Sequence, residues 1–591
     1  MEESMIDTYR ERLGTYEEEL SACTKKSGGV GAAKLVLFFA FIAVCVQMWL
    51  TAFEAVWNVA AVAFFAAFCI LCVIHERMLE KISDLKGLTE VIRKDICRFT
   101  GEWKGFSDTG EEYVDREHDY AVDLDIIGEQ SLFQFMNKTN TCYGRKQLAD
   151  DLLFPDYTNE EIRQRQKAVE ELRGEYEWTA CLENDFSKIG IRDDLQETIA
   201  WLQDKKPFIR SQLVRILLGI LCFLTCASVP CVFITKSNWS FSAFGILFLV
   251  QLAVGLLGDY RIKKYLGAMR GAAGYIAPYH LVIRAFAGRT FVSERMREIQ
   301  AGLLEAEEGM RQLVRISSHM KYTANPIAKF LLNVFLQWDY KNAFDFQKWK
   351  PRYADCVNKW FCLFGELESL MSFAGFARNC DTVCLPEISG EDGIFAEQLG
   401  HPLLENGQRV CNDFQMKDSI VIISGSNMSG KSTFMRTVGI NLVLARAGSY
   451  VCAGRMKCPQ TRIVTSMRIA DRTTEGISTF YSELLKIRKI IEAAEHEKVF
   501  FLIDEIFRGT NSVDRLCGAQ GVLRRLHDLK STGILTTHDL EICRMADDAG
   551  ILNYSFQETY RGEEMYFDYQ IKKGISKTTN AEFLLRKLGI L

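Results

Sequence analysis

Ser419-Ile420-Val421-Ile422-Ile423-Ser424-Gly425-Ser426-Asn427-Met428-Ser429-Gly430-Lys431-Ser432-Thr433 is the stretch from which the rest of the chain is read. Ser419 to Ile423 is a short β-branched apolar run, the pattern of a buried strand. It runs into Gly425-Ser426-Asn427-Met428-Ser429-Gly430-Lys431-Ser432, which fits G-x-x-x-x-G-K-[ST]. The spacing has a chemical reason. Glycines let the backbone curl until its N–H groups converge on phosphate oxygens. The helix that follows points its positive end at the same place. Lys431 adds a full charge near the β- and γ-phosphates, and Ser432 offers a hydroxyl to Mg²⁺. Residues 425–433 are therefore the candidate ATP-binding loop.

Two further segments complete such a site. Val499-Phe500-Phe501-Leu502-Ile503 is an apolar run ending in Asp504-Glu505. Asp504 is read as the residue that holds Mg²⁺ through water, and Glu505 as the one that orients or deprotonates the attacking water. Gly533 to Leu535 precedes Thr536-Thr537-His538-Asp539, and a His beyond a strand end can contact a γ-phosphate. Around these segments, short apolar runs alternate with amphipathic stretches, the texture of an α/β domain with a buried sheet.

Outside that region the sequence is helical. Leu132, Phe135 and Met136 fall at helical spacing, and so do Val169, Leu172 and Tyr176. Proline is scarce over 259–375, as long unbroken helices require. Four apolar runs without a charged residue stand out: Leu35 to Phe53, Val56 to Ile74, Ile216 to Ile234 and Trp239 to Leu257. Each approaches the ~20 residues that cross a bilayer as a helix. Their short connections make two hairpins. Lys25, Lys26, Lys34, Arg77, Lys81 and Lys86 flank the first, and Lys205, Lys206, Arg210, Arg215, Arg261, Lys263 and Lys264 the second. The positive-inside bias puts every large segment in the cytoplasm. The alternative is a set of buried core helices, with the Pro230-containing run fitting it best. Ahead of the first run, a polar helix and a glycine-containing linker, Ser27-Gly28-Gly29-Val30-Gly31, are expected.

Bulk composition agrees with a packed, multidomain chain. Of 591 residues, 48% are hydrophobic and 25% charged, with a net charge of -5. This excludes a globally disordered chain and a basic nucleic-acid coat. The 19 cysteines are scattered, without paired Cys-x-x-Cys repeats, and read as reduced small hydrophobes.

Taken together the site residues resemble the ATPase domain of the MutS mismatch-repair family. Ser426 to Thr433 is similar to that family's Pro-Asn-Met-(Gly/Ser)-Gly-Lys-Ser-Thr, with Asn427-Met428 the most specific part. Asp504 to Ser512 resembles Asp-Glu-Ile-Gly-Arg-Gly-Thr-Ser-Thr, and Ser478-Thr479-Phe480 with Glu483 resembles Ser-Thr-Phe-x-x-Glu. Thr537-His538 matches the family's Thr-His. Gln130 to Leu148 and His401 to Leu404 extend the likeness. The resemblance implies catalytic roles for Lys431, Glu505, His538 and Ser478, with Ser478 reaching the γ-phosphate bound by a second subunit. A homodimer through the ATPase domain is thus implied, with ATP and Mg²⁺ as cofactors. DNA, held without sequence specificity by helical arms, is a candidate partner, as is the lipid bilayer.

The departures are as informative. The interval from Ile74 to the core-like segment at 125 is too short for a mismatch-reading domain, so mismatch recognition is not expected. Phe507 and Arg515 stand where the family usually has Gly. No extra C-terminal domain is expected after the ATPase segment. The expected fold is α+β and multidomain: a long helical core or lever with two transmembrane hairpins, then a C-terminal ABC-type P-loop α/β ATPase domain. The segments are 1–31 (cytosolic tail), 32–75 (first hairpin), 76–213 (helical core, first part), 214–258 (second hairpin), 259–384 (core and lever, second part) and 385–591 (ATPase domain). Two other readings stay open: a transporter-type ATPase, and a tether whose nucleotide site only switches conformation.

Overall fold

A computed structural model of the chain describes residues 2–51, 55–191, 195–203, 212–390, 393–426, 428–468, 479–507, 511–544, 551–561 and 564–576. It divides into two units: residues 1–138, 149–184 and 370–591, and residues 139–148 and 185–369.

Among the described residues of the first unit, ten strands form two sheets: β1 Glu387–Ser389, β2 Gly393–Leu399, β3 Asn412–Lys417, β4 Ile420–Ser424, β5 Arg455–Pro459, β6 Arg462–Ser466, β7 Val499–Asp504, β8 Thr532–Thr537, β9 Leu552–Arg561 and β10 Glu564–Lys573. A four-stranded sheet runs β1-β5-β2-β3 and a six-stranded sheet runs β10-β9-β4-β8-β7-β6. In the larger sheet β9, β4, β8, β7 and β6 are parallel, and β10 closes the edge antiparallel. The runs read as strands from sequence are strands. β4 and β8 are buried at every residue, as a parallel sheet covered on both faces demands. Ile420, Ile422, Phe501, Ile503 and Leu535 pack with Ile487, Ile490, Leu523 and Leu526 from covering helices.

The N-terminal part of this unit is a pair of long helices, Glu2–Leu50 and Ala55–Thr100. Here one expectation fails: the Ser27 to Gly31 stretch is not a linker but the interior of one helix. Glycine costs a helix about 1 kcal/mol relative to alanine, yet the partner helix supplies contacts along the whole length. Tyr9, Leu13 and Tyr16 pack with Leu88, Val91, Ile92 and Tyr176. Glu17 pairs with Arg93 and Glu19 with Lys81, each at 2.5 Å. Tyr176 is the second difference. The helix Asn159–Gly174 ends before it, and Tyr176 opens the next helix, where its ring meets Tyr9 at 5.2 Å.

Beneath these contacts lies a buried charge network. Asp95, with no exposed surface, receives Lys138 Nζ at 2.6 Å and Arg98 Nη1 at 3.0 Å. Lys138 also reaches Glu183 at 3.0 Å, and Arg98 donates to the carbonyls of Phe135 and Asn137.

The second unit is helical within the described residues. Leu195–Gln203, Gln212–Thr235, Asn238–Ile276, Tyr279–Phe286, Glu294–Lys321, Pro326–Leu336 and Trp338–Tyr353 lead into the first part of Val357–Asn379. Pro230 is accommodated inside Gln212–Thr235.

Among the described residues, four helices are long and apolar enough to cross a membrane. In their most apolar windows only 0%, 0%, 11% and 6% of residues are buried. Phe39 is 65% exposed and Phe223 71%. This runs counter to the core-helix alternative, including for the run with Pro230, because helices of this chain's core would bury these side chains.

Candidate active site

The site forms at the carboxyl ends of the parallel strands, all within the first unit. Pairing sets its register: Ser424 lies opposite Thr537, and Asp504 opposite Thr536. The loop leaving β4, the carboxylates ending β7 and the His beyond β8 therefore emerge along one edge. Open α/β sheets bind ligands at this edge.

The loop turns into the helix Lys431–Arg446 at Gly430, whose φ of 103° lies in the left-handed region. That helix start has no side-chain cap, and the N–H groups of a first helical turn are natural donors to an anion. Met428 sits at φ 71° and is 85% exposed. Lys431 is buried and donates from Nζ to the carbonyls of Gly425 and Ser426, both at 2.7 Å. Thr433 is exposed on the first turn, its carbonyl accepting from Thr437 Oγ1. Asn427 and Ser478 lie outside the described residues.

Ser432 Oγ donates to Asp504 Oδ2 at 2.8 Å, and Thr536 Oγ1 donates to Asp504 Oδ1. Glu505 adopts φ 54° and donates its N–H to Thr536 O at 3.1 Å. Its carboxylate is 17% exposed and lies 3.6 Å from His538 Nδ1. Phe507, where glycine was the expected family residue, adopts φ 60° and is buried. Its N–H donates to Glu483 Oε1, and its ring lies 5.9 Å from Phe480 and over Gly518. Left-handed backbone costs a side chain about 1–2 kcal/mol, and full burial of the ring gains about 2–3 kcal/mol. The aromatic residue is thus held in a glycine conformation by its packing.

These residues fit a phosphate-bearing ligand. Ser429 Oγ is buried without a hydrogen-bond partner among the described residues. A side chain at Gly425 would strike Ser429 Oγ and the Phe556 carbonyl, both 2.9 Å from its Cβ. A phosphate would give Ser429 Oγ its missing partner, and would offer the Lys431 ammonium and the uncapped helix start an anionic acceptor. The hydroxyl–carboxylate pair of Ser432 and Asp504 is a hard-oxygen donor set suited to Mg²⁺.

Several nearby residues had no role in the sequence reading. Glu558 on β9 accepts from Ser426 Oγ at 3.3 Å. The Tyr569 ring on β10 would lie 3.1 Å from a Cβ at Gly430. Both depend on strand pairing that no local pattern announces. Asp123 accepts from Thr465 Oγ1 and the Met467 N–H at 2.9 Å, the Arg468 N–H at 3.1 Å and Lys486 Nζ at 3.3 Å. It anchors the chain just before the segment that carries Ser478. Neighbouring Asp119 pairs with Arg462 and Lys489, both at 2.7 Å. Burial works to raise its carboxyl, but these two cations outweigh it and hold it below the usual range.

Residues 421–581 match the family model of MutS domain V. The DNA mismatch repair protein MutS 2 of Halobacterium salinarum is 33% identical over 233 residues, covering 38% of this chain and 26% of the relative. The DNA mismatch repair protein MutS of Chlorobium phaeobacteroides is 31% identical over 238 residues, 39% of this chain and 27% of the relative. A longer match, 24% identical over 498 residues, links 76% of this chain to 56% of the DNA mismatch repair protein MutS of Aquifex pyrophilus. The chain thus matches about a quarter of the length of the first two relatives.

Proposed function

Because the chain belongs to the MutS family, we propose that it is a membrane-anchored ATPase that hydrolyses ATP at a site shared between two copies. The observation that carries this reading is the convergence, at one sheet edge, of the 425–433 loop, the Ser432–Asp504 pair and the Glu505–His538 pair.

Each residue has a chemical task. Lys431 exchanges its two loop carbonyls for phosphate oxygens, anionic acceptors in place of neutral ones. Ser432 and Asp504 are the pair that would hold Mg²⁺, whose charge, when bound, stabilises phosphate oxygens. Glu505 takes the proton of the attacking water, and His538 orients that carboxylate from its open side. Ser478 of the facing copy completes the site. The exposed apolar helices anchor the protein in a bilayer, with DNA as the partner held by the helical region.

Lys431→Ala is expected to weaken nucleotide binding about 100-fold, the equivalent of ~2.7 kcal/mol. Titration with a fluorescent ATP analogue reads this directly, and affinity within threefold of wild type would remove Lys431 from the phosphate site. The function as a whole is tested by ATP turnover of detergent-solubilised protein with and without duplex and branched DNA. Stimulation that declines steeply with salt is expected, because phosphate contacts release counterions. Hydrolysis with no DNA retention even at low salt would reject the nucleic-acid part and leave the ATPase standing.

A further inference from the structure

The apolar surface of the second unit extends beyond the helices Gln212–Thr235 and Asn238–Ile276. A third helix, Pro326–Leu336, has Lys329 and Asn333 as its polar side chains and is otherwise apolar. Ile327, Phe330 and Leu331 share one face by their i, i+3, i+4 spacing and are 72%, 51% and 48% exposed. At 1.5 Å per residue the helix is ~16 Å long, too short to cross a bilayer core of ~30 Å. An apolar helix of this length is either a core element or one lying within the membrane boundary. Its exposed face excludes the first.

Two independent rulers give its depth. The helix ends at Gln337, a buried residue in the left-handed conformation, φ 46°. Gln337 Nε2 donates to Gln251 Oε1 at 2.7 Å and to Gln251 O at 3.1 Å. Gln251 is itself fully buried and donates to Cys222 Sγ. Cys226 Sγ donates to Phe335 O. All three hairpin residues lie inside the apolar runs 216–234 and 239–257. Counted back from Leu257, Gln251 is ~9 Å inside. The second ruler starts at Arg215, the basic residue that borders the third run. Its guanidinium lies 4.5 Å over the Phe344 ring, and from Phe344 to Gln337 the helix Trp338–Tyr353 descends ~10 Å. Both rulers put the corner at Gln337 about 10 Å below the edge of the apolar layer. The corner is closed for such a place. Asn333 Nδ2 donates to Asp339 Oδ2 and the Asp339 N–H to Asn333 Oδ1, both at 2.9 Å. Polar groups at membrane depth must be satisfied in this internal way.

We infer that Pro326–Leu336 is a third membrane-embedded element of this unit. It enters the leaflet on the side of the basic flanks, turns at Gln337 and leaves through Trp338–Tyr353, with Ile327, Phe330 and Leu331 against lipid acyl chains. The occupant is lipid because the helix is continuous with the apolar hairpin surface, through Gln251 and Cys226. The inference rests on reading the second hairpin as membrane-spanning.

The test uses full-length protein in phosphatidylcholine–phosphatidylglycerol vesicles that contain a phospholipid with a photoactivatable diazirine in its acyl chain. After illumination, tagged peptides are identified by mass spectrometry. Tagging is expected in both 216–255 and 326–336, and Phe330→Asp should lower it at least tenfold in 326–336 alone. Tagging of the hairpin without 326–336 would overturn this inference and leave the hairpin in the membrane. Tagging of neither would overturn both. Cross-links from 326–336 to a second copy, without lipid tags, would identify a protein interface there and overturn the lipid assignment.

Discussion

Replacing Glu505 with glutamine is expected to lower ATP turnover by about two to three orders of magnitude, with nucleotide affinity changed less than about twofold. The substitution keeps shape and removes the negative charge, and with it the ability to accept a proton. The backbone supports a chemical role for this position. Glu505 is held at φ 54°, tied to Thr536 O, with its carboxylate partly open to solvent beside His538. A glutamate in that conformation carries a cost of about 1–2 kcal/mol, and strain of this kind concentrates at functional sites. Binding should survive because Lys431, Ser432 and Asp504 are untouched. Turnover measured with binding on the same preparation separates the outcomes. Unchanged hydrolysis would remove Glu505 from catalysis. Loss of binding would make its role structural.

Replacing Asp95 with alanine is expected to cost about 3 kcal/mol of stability, the lower end of the range for breaking a buried ion pair. The carboxylate has no exposed surface and takes two cations, Lys138 and Arg98. Removing it leaves both charges buried. The loss stays at the lower end because Lys138 keeps Glu183 and Arg98 keeps two carbonyls. Asp95→Asn, which retains an acceptor, should cost less. Thermal unfolding in detergent reads both variants. Equal stability of Asp95→Ala and wild type would show that the network contributes nothing to folding.

How legible these features were in the sequence depends on the range of the interaction that makes them. Strands β4, β7 and β8 were readable because each is a short apolar run bounded by turn residues. The loop, Asp504, Glu505 and His538 followed from their places at the ends of those runs. Glu558 and Tyr569 were not readable, since their place beside the loop comes from β9 pairing with β4 and β10 with β9. Gly28 and Gly29 read locally as a linker, but packing along the partner helix outweighs their propensity. Phe507 looked like a plain departure from a glycine pattern. The structure gives it a reason, a ring packed between Phe480 and Gly518. Pro326–Leu336 was passed over because its run is too short to register as a span.

The unbroken helix Glu2–Leu50 has a mechanical consequence. Tyr9 is clamped against Tyr176 at one end, and the apolar residues up to Leu50 lie at the other. At 1.5 Å per residue the distance between them is ~60 Å. Under the membrane anchoring proposed above, with its apolar end in lipid, this rod would work as an oar. A tilt of about 5° at the clamp sweeps the far end through ~5 Å, comparable to one helical turn. Local thinning or bending of the lipid sheet would load the clamp in the reverse direction. The same unit contains the candidate nucleotide loop, so under that proposal bilayer thickness would become a mechanical input to the unit that carries the loop.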